Sequence, residues 1–173
     1  MNVDQRRQRL EALYVQHADA VFAYARRRAE AAVAEDVVME VFLVACRRLE
    51  DVPDPALPWL LACARRVLAN QRRSAARAQS LSARLQQAGR AAGVDDRAAG
   101  LLGSALEKLG DSDREIILLS ALEGLDLSGL AFTLDCSRGA AAVRLHRARR
   151  RLRRAMEREG SATAEPQTME VSG

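Results

Sequence analysis

Apolar residues recur every three or four positions along most of the chain, the spacing that lines up one stripe of an α-helix. From Leu10 the stripe runs through Leu13, Tyr14, His17, Val21, Tyr24 and Ala25. Arg26, Arg27 and Arg28 close it, where cations favour a helix C-terminus. A second helix is predicted over 34–50, with Glu35 and Asp36 in its first turn and Val37, Val38, Val41, Phe42, Ala45 and Leu49 on its buried face. Pro53, Pro55 and Pro58 then exclude a helix from 51–58, because proline removes an amide donor and clashes with the preceding turn. Pro58 is placed to start the next helix. That helix, 58–74, buries Trp59, Leu60, Cys63, Val67 and Leu68, and three helices with one shared core make a small first domain over 8–74.

The pattern weakens from Ser74 to Gly100, where Ala, Ser, Gln, Arg and Gly dominate. A stretch that long without strong periodicity reads as a flexible tether with possible helical turns, so 75–100 is predicted to separate two modules. Periodicity returns at 101–109 in a short helix ending at Gly110. Ser112 and Glu115 have the spacing of a capping box for the following helix, which stops at Gly124. Asp126 can cap a short helix over 127–134, Asp135 and Cys136 form a tight turn, and Ser137 caps a long basic helix. Two short helices joined by such a turn, the second one basic, fit a helix-turn-helix. Leu127, Leu130, Leu134, Ala141 and Leu145 can form its shared core, with Ala131 small where the helices approach. This second domain spans 101–158, and the small polar residues of 159–173 read as a disordered tail. The fold class is therefore all-α: two small helical domains joined by a flexible linker, the C-terminal one a helix-turn-helix.

Composition agrees with helices, since only 3% of residues are aromatic and Leu, Ala and Val must supply the packing. The formal charge is +4, and Lys108 is the only lysine among 27 basic residues. A GC-rich coding bias would produce that preference for arginine, so the clustering of the arginines carries more meaning than their identity. Cys46, Cys63 and Cys136 are widely spaced with no CxxC pair, which argues against a disulfide framework and a zinc site. The first residues lack a signal-peptide core, and no apolar run approaches the roughly 20 residues that span a bilayer, so a cytoplasmic protein without membrane insertion is expected. No nucleotide-binding loop, HExxH or nucleophile elbow is present, and neither His17 nor His146 has catalytic or metal-binding partners in the pattern. The expectation is a binding protein, not an enzyme, with no cofactor and no metal.

The residues suited to binding are arginines on two helices. The final helix can expose Arg138, Arg144, Arg147, Arg149 and Arg150, whose planar guanidinium groups match a guanine edge or a phosphate. The same charges would also make an ordinary solvated face. The third helix displays Arg65, Arg66, Asn70, Arg72 and Arg73.

At this point the chain resembles a known family. The segment 113–153, with Leu122-Glu123-Gly124-Leu125, Ala131, Leu134, Ser137, Gly139 and the run Arg144-Leu145-His146-Arg147-Ala148-Arg149, is similar to region 4 of the extracytoplasmic-function (ECF) sigma factors. Ala34-Glu35-Asp36-Val37-Val38-Met39-Glu40-Val41-Phe42-Leu43, and Trp59-Leu60 with Ala64-Arg65, are similar to region 2 of the same family, in the right order and separation. The resemblance covers about 8 to 157, apart from the linker.

It implies a subunit that binds core RNA polymerase through the β′ clamp helices and the β flap, recognises promoter DNA and is restrained by an anti-sigma factor. Asp36 and Glu40 become candidate polymerase contacts, although simple helix charge explains them equally well, and Phe42 reads better as core. Arg65, Arg66, Asn70, Arg72 and Arg73 would meet the −10 element, with the loop from Asp51 to Pro58 shaping a base pocket and Trp59 a core anchor or stacking surface. Arg144 and Arg147 would read the −35 element, with Arg138 and Arg149 on phosphates, which position without specifying sequence.

Several positions depart from the family pattern. Ala140-Ala141-Ala142 replaces the frequent Thr-Val-Lys, Asp135 a turn glycine, Ser128-Gly129 two glutamates and Cys46 a tryptophan. Alanine can touch a thymine methyl but cannot hydrogen-bond, so an unusual or weak −35 preference is expected. Two other readings stay open: a stand-alone helix-turn-helix regulator that does not bind core polymerase, and a helical adaptor that binds only protein. The chain shows no dimerisation helix with sustained heptads, and a steep salt dependence of DNA binding would separate the last reading from the others.

Overall fold

The computed structural model describes residues 2–81 and 97–163, and among these every regular element is helical. Helix α1 (Val3–Arg26) is longer than the apolar stripe. Its start is set by a capping box, in which the Asn2 side chain accepts from the Gln5 amide at 2.8 Å and the Gln5 side chain accepts from the Asn2 amide at 2.9 Å. Val21, Tyr24 and Ala25 are buried, whereas Leu10 and Leu13 only border the core. Tyr14 lies half exposed, edge-on to the Phe42 ring at 4.9 Å.

Helix α2 (Ala31–Arg47) begins earlier than its charges suggest, so Glu35 and Asp36 fall beyond its first turn. The buried face is the one the periodicity marks: Val37, Val38, Val41, Phe42 and Ala45. Leu49 is buried in a short 3₁₀ turn (Leu49–Asp51) that leads into the proline loop. Helix α3 (Leu57–Leu81) buries Trp59, Leu60, Cys63, Val67 and Leu68 as expected and continues past Ser74. The segment read as a tether is thus helical at both ends, and 82–96 lies outside the described residues.

Helix α4 (Arg97–Glu107) and helix α5 (Asp111–Ala121) are joined by a tight corner. The expected Ser112–Glu115 capping box does not form. Gly110 is the N-cap in extended conformation, so α5 starts at Asp111 and Ser112 is already inside it. The corner is held instead by Arg114, whose guanidinium donates to the carbonyls of Leu106, Glu107 and Leu109 at 2.7, 2.7 and 3.1 Å. Orphan carbonyls at the end of α4 are thereby satisfied.

Helices α6 (Leu127–Thr133) and α7 (Arg138–Thr163) form the helix-turn-helix. Asp126 caps α6 by accepting from the Gly129 amide at 2.7 Å, and Ser137 caps α7 by accepting from the Ala140 amide at 3.1 Å. Asp135 takes φ +53° in the turn, the left-handed conformation that aspartate tolerates better than most residues. Leu130, Leu134, Ala141 and Leu145 are buried between the helices. Helix α7 runs past Gly160 into the stretch read as tail, and 164–173 lies outside the described residues.

The two helical groups are packed together. Helix α6 lies against α3, and a single apolar cluster runs from Val21 and Leu60 to Leu130 and Leu145. The Thr133 hydroxyl, 2% exposed, donates to the Pro58 carbonyl at 3.1 Å.

Candidate nucleic-acid interface

Helix α7 turns Ala141, Leu145 and Ala148 into the core, so the positions two residues beyond each of them look outward. Arg138, Arg147, Arg149 and Arg150 are exposed. Arg144 is not: it is half-buried and donates to the Ser112 hydroxyl at 2.8 Å. Arg149 donates to the Ser120 hydroxyl at 3.2 Å, and Arg151 pairs with Asp113. Arg144, Arg147 and Arg151 line one shallow hollow with Asp111, Ser112 and Asp113. The N-terminus of α5 therefore orients part of the arginine array, while Arg147 and Arg150 present free faces. Val143, half exposed on the same outward stripe as Arg147 and Arg150, escaped the charge-based reading. An exposed β-branched residue on a recognition helix is the signal that could have found it, because a thymine methyl is an apolar target in the major groove.

The five polar residues of α3 are all on the surface, but on two stripes. Arg66, Asn70 and Arg73 follow i, i+4, i+7 spacing, and Arg73 donates to the Asn70 side-chain oxygen. Arg65 and Arg72 flank the end of α1. Arg72 donates to the Arg28 carbonyl at 3.3 Å, and Arg65 adds positive potential at Tyr24. Trp59 is 8% exposed, a core anchor whose edge reaches the cleft between α3 and the helix-turn-helix.

On α2, Asp36 and Glu40 are exposed on a single stripe, and Phe42 is buried. Met39, 62% exposed, and Leu43, 50% exposed, accompany them. The helix thus offers acid beside uncovered apolar surface, a combination that a reading of charge alone leaves out.

Between the groups lies a polar knot. The Tyr24 hydroxyl donates to Glu115 at 2.7 Å, and Arg28 donates to the same carboxylate through Nε at 2.9 Å while its guanidinium stacks 3.7 Å above the Tyr24 ring. Burial pushes the Tyr24 hydroxyl far above the usual phenol range; the Arg28 charge opposes this and Glu115 reinforces it. Arg27 pairs with Glu123, whose side chain is almost fully buried. His17 is half-buried, and desolvation holds its imidazole below the usual range. Among the described residues no cluster of His, Cys, Asp or Glu could hold a metal ion, and no helix is long and apolar enough to cross a membrane.

Comparison with known proteins adds an independent line. Residues 13–78 match the family model described as Sigma-70 region 2, and residues 99–152 match Sigma-70, region 4. The chain is 34% identical over 161 residues to the ECF RNA polymerase sigma factor SigL of Mycobacterium tuberculosis, a match covering 87% of this chain and 90% of that protein. Two solved structures share the fold. The sigma factor RpoE, in complex with the anti-sigma factor NepR from Bartonella quintana, superposes with a TM-score of 0.65 at 22% identity, covering 85% of this chain and 96% of that one. CnrH, in complex with the cytosolic domain of CnrY, superposes with a TM-score of 0.56 at 27% identity, covering 86% and 87%.

Proposed function

This chain belongs to the ECF RNA polymerase sigma factors, and from that premise we infer that its two basic helices divide promoter DNA between them while α2 grips the polymerase. The chain binds core polymerase and directs transcription initiation, acting by binding and without catalysis, in the cytoplasm. The observation that carries the division of labour is the pair of surface arginine arrays on α3 and α7, placed on separate helices of separate modules.

On α7, Arg147 is the leading candidate for a base contact in the −35 major groove, with Arg138 and Arg149 on phosphates. Arg144 joins it only by exchanging its bond to Ser112 for one to DNA. On α3, Arg65, Arg66, Asn70, Arg72 and Arg73 neutralise the backbone of the −10 element. Strand separation needs such neutralisation together with pockets for unpaired bases. Asp36 and Glu40, framed by Met39 and Leu43, are the polymerase contacts. The domain limits 8–74, 75–100 and 101–158 follow this assignment. An anti-sigma factor would act by covering either module; the structurally similar sigma factor RpoE is found in complex with the anti-sigma factor NepR.

Reconstituted transcription tests the reading. With bacterial core polymerase and a library of promoter sequences, discrete start sites should appear only when this chain is added. Failure of the chain to associate with core polymerase at low ionic strength would overturn it, and duplex binding without that association would favour a stand-alone regulator.

A further inference from the structure

The contact between the two modules encloses a cleft of about 340 Å³, lined on one side by Trp59, Cys63 and Arg66 of α3 and on the other by Phe132, Asp135 and Cys136 of the helix-turn-helix. Two of the three thiols in the chain therefore share one cavity, each contributed by a different module. Both are free, Cys63 buried and Cys136 half-buried, while Cys46 lies exposed on α2. Their relative placement is constrained on both sides. Thr133 is bonded to the Pro58 carbonyl at 3.1 Å, and Tyr24 and Arg28 hold Glu115. The cleft also carries the Arg66 guanidinium, which opposes the upward push of burial on the Cys63 thiol.

We propose that Cys63 and Cys136 are a peroxide-responsive pair whose disulfide fastens the helix-turn-helix to α3 and withdraws the chain from promoter binding. The loss of promoter binding rests on the sigma-factor reading; the thiol chemistry does not.

Cys136 is the more accessible sulfur and reacts first. Its thiolate attacks hydrogen peroxide, an S–O bond forms as the O–O bond breaks, and the departing hydroxide takes up the thiol proton and leaves as water. The Cys63 sulfur then displaces the hydroxyl of the sulfenic acid, so that an S–S bond forms, the S–O bond breaks and a second water carries away the Cys63 proton. Two thiols lose two electrons, and one peroxide becomes two waters. Bonding requires the two Cα atoms to lie within about 7 Å, and both residues line the same cleft.

The consequence follows from length. Elements centred at −10 and −35 lie roughly 25 base pairs apart, about 85 Å at about 3.4 Å per pair. Helix α7, with 26 residues, spans only about 39 Å at about 1.5 Å per residue. Modules tied together at the Cys63–Cys136 cleft cannot reach both elements, and the tie closes the helix-turn-helix over Arg66.

Peroxide titration of the full chain, followed by non-reducing peptide mapping and transcription with core polymerase, tests this. An intramolecular peptide joining Cys63 to Cys136 should appear, transcription should fall at least tenfold, and a dithiol reductant should restore it. Cys136→Ser and Cys63→Ala should keep transcription after peroxide, while Cys46→Ser should behave like the wild type. Cys136 is half-buried in a turn, so its variant is informative even if Cys63→Ala folds poorly. The proposal is overturned if the oxidised chain carries no Cys63–Cys136 peptide, or if Cys136→Ser loses as much activity as the wild type. A reduced chain that drives no transcription counts against the sigma-factor reading, and the peptide map still decides the pairing.

Discussion

The Glu115 carboxylate of the C-terminal module accepts a hydrogen bond from the Tyr24 hydroxyl of the N-terminal module at 2.7 Å, across 91 positions of sequence. Arg28 completes the contact at the other carboxylate oxygen, and its side chain is only 10% exposed. Removing one partner from a pair this buried leaves an uncompensated charge and costs on the order of 3 kcal/mol. Arg28→Glu should therefore part the modules, raising the radius of gyration in small-angle scattering. Adding Glu115→Arg to that variant should bring the radius back down. An unchanged radius in Arg28→Glu would show that the apolar contacts alone hold the modules together.

Gly129 replaces a family glutamate for a reason that only the packing reveals. A Cβ there would meet Pro58 Cγ at 3.2 Å and the capping oxygen of Asp126 at 3.3 Å. Alanine normally stabilises a helix interior by about 1 kcal/mol relative to glycine. In Gly129→Ala the rigid Pro58 ring should cancel that gain, leaving thermal stability unchanged or lower. The double variant Pro58→Ala, Gly129→Ala should recover it, and calorimetry of both chains is the check.

The caps of the helix-turn-helix give a local prediction. Asp126→Ala removes the acceptor of the Gly129 amide and should cost about 1 kcal/mol in denaturant unfolding, whereas Asp126→Asn should cost only a few tenths. Asp135→Gly relieves a left-handed backbone and should be neutral or stabilising by up to about 1 kcal/mol.

On the recognition helix, Arg147→Ala should weaken binding to a −35 duplex by about 1–3 kcal/mol and relax the sequence preference at one position. Arg138→Ala should weaken all sequences alike and reduce the salt slope by about one. Arg144→Ala should cost less than Arg147→Ala, because the native side chain must first leave Ser112. Fluorescence anisotropy across a range of salt concentrations separates the three. Equal losses for Arg144 and Arg147 would mean that the Ser112 bond does not restrain Arg144.

His17 supplies a pH prediction. Its folded-state value is depressed by burial, so the neutral ring is favoured in the native chain. The associated stability is complete above the ordinary histidine range near 6.5 and is lost as pH falls below it. His17→Gln should flatten the unfolding midpoint between about pH 6.5 and 5 without shifting it at pH 8.

Local patterns in the chain were enough to give the helices, the buried stripe of α2, the caps at Asp126 and Ser137, and the tight turn at Asp135. Each depends on residues a few positions apart, where side-chain and backbone geometry are coupled directly. The same locality explains the failures: Ser112 and Glu115 have the spacing of a capping box, yet both are engaged by partners from distant helices. Which arginines remain free on α7, why Gly129 is tolerated, and why two cysteines 73 positions apart line one cleft were decided only by the tertiary packing. Pattern along a chain specifies which face of a helix turns inward, but which other helix that face meets depends on how whole modules share their apolar surface, and no short stretch of sequence contains that information.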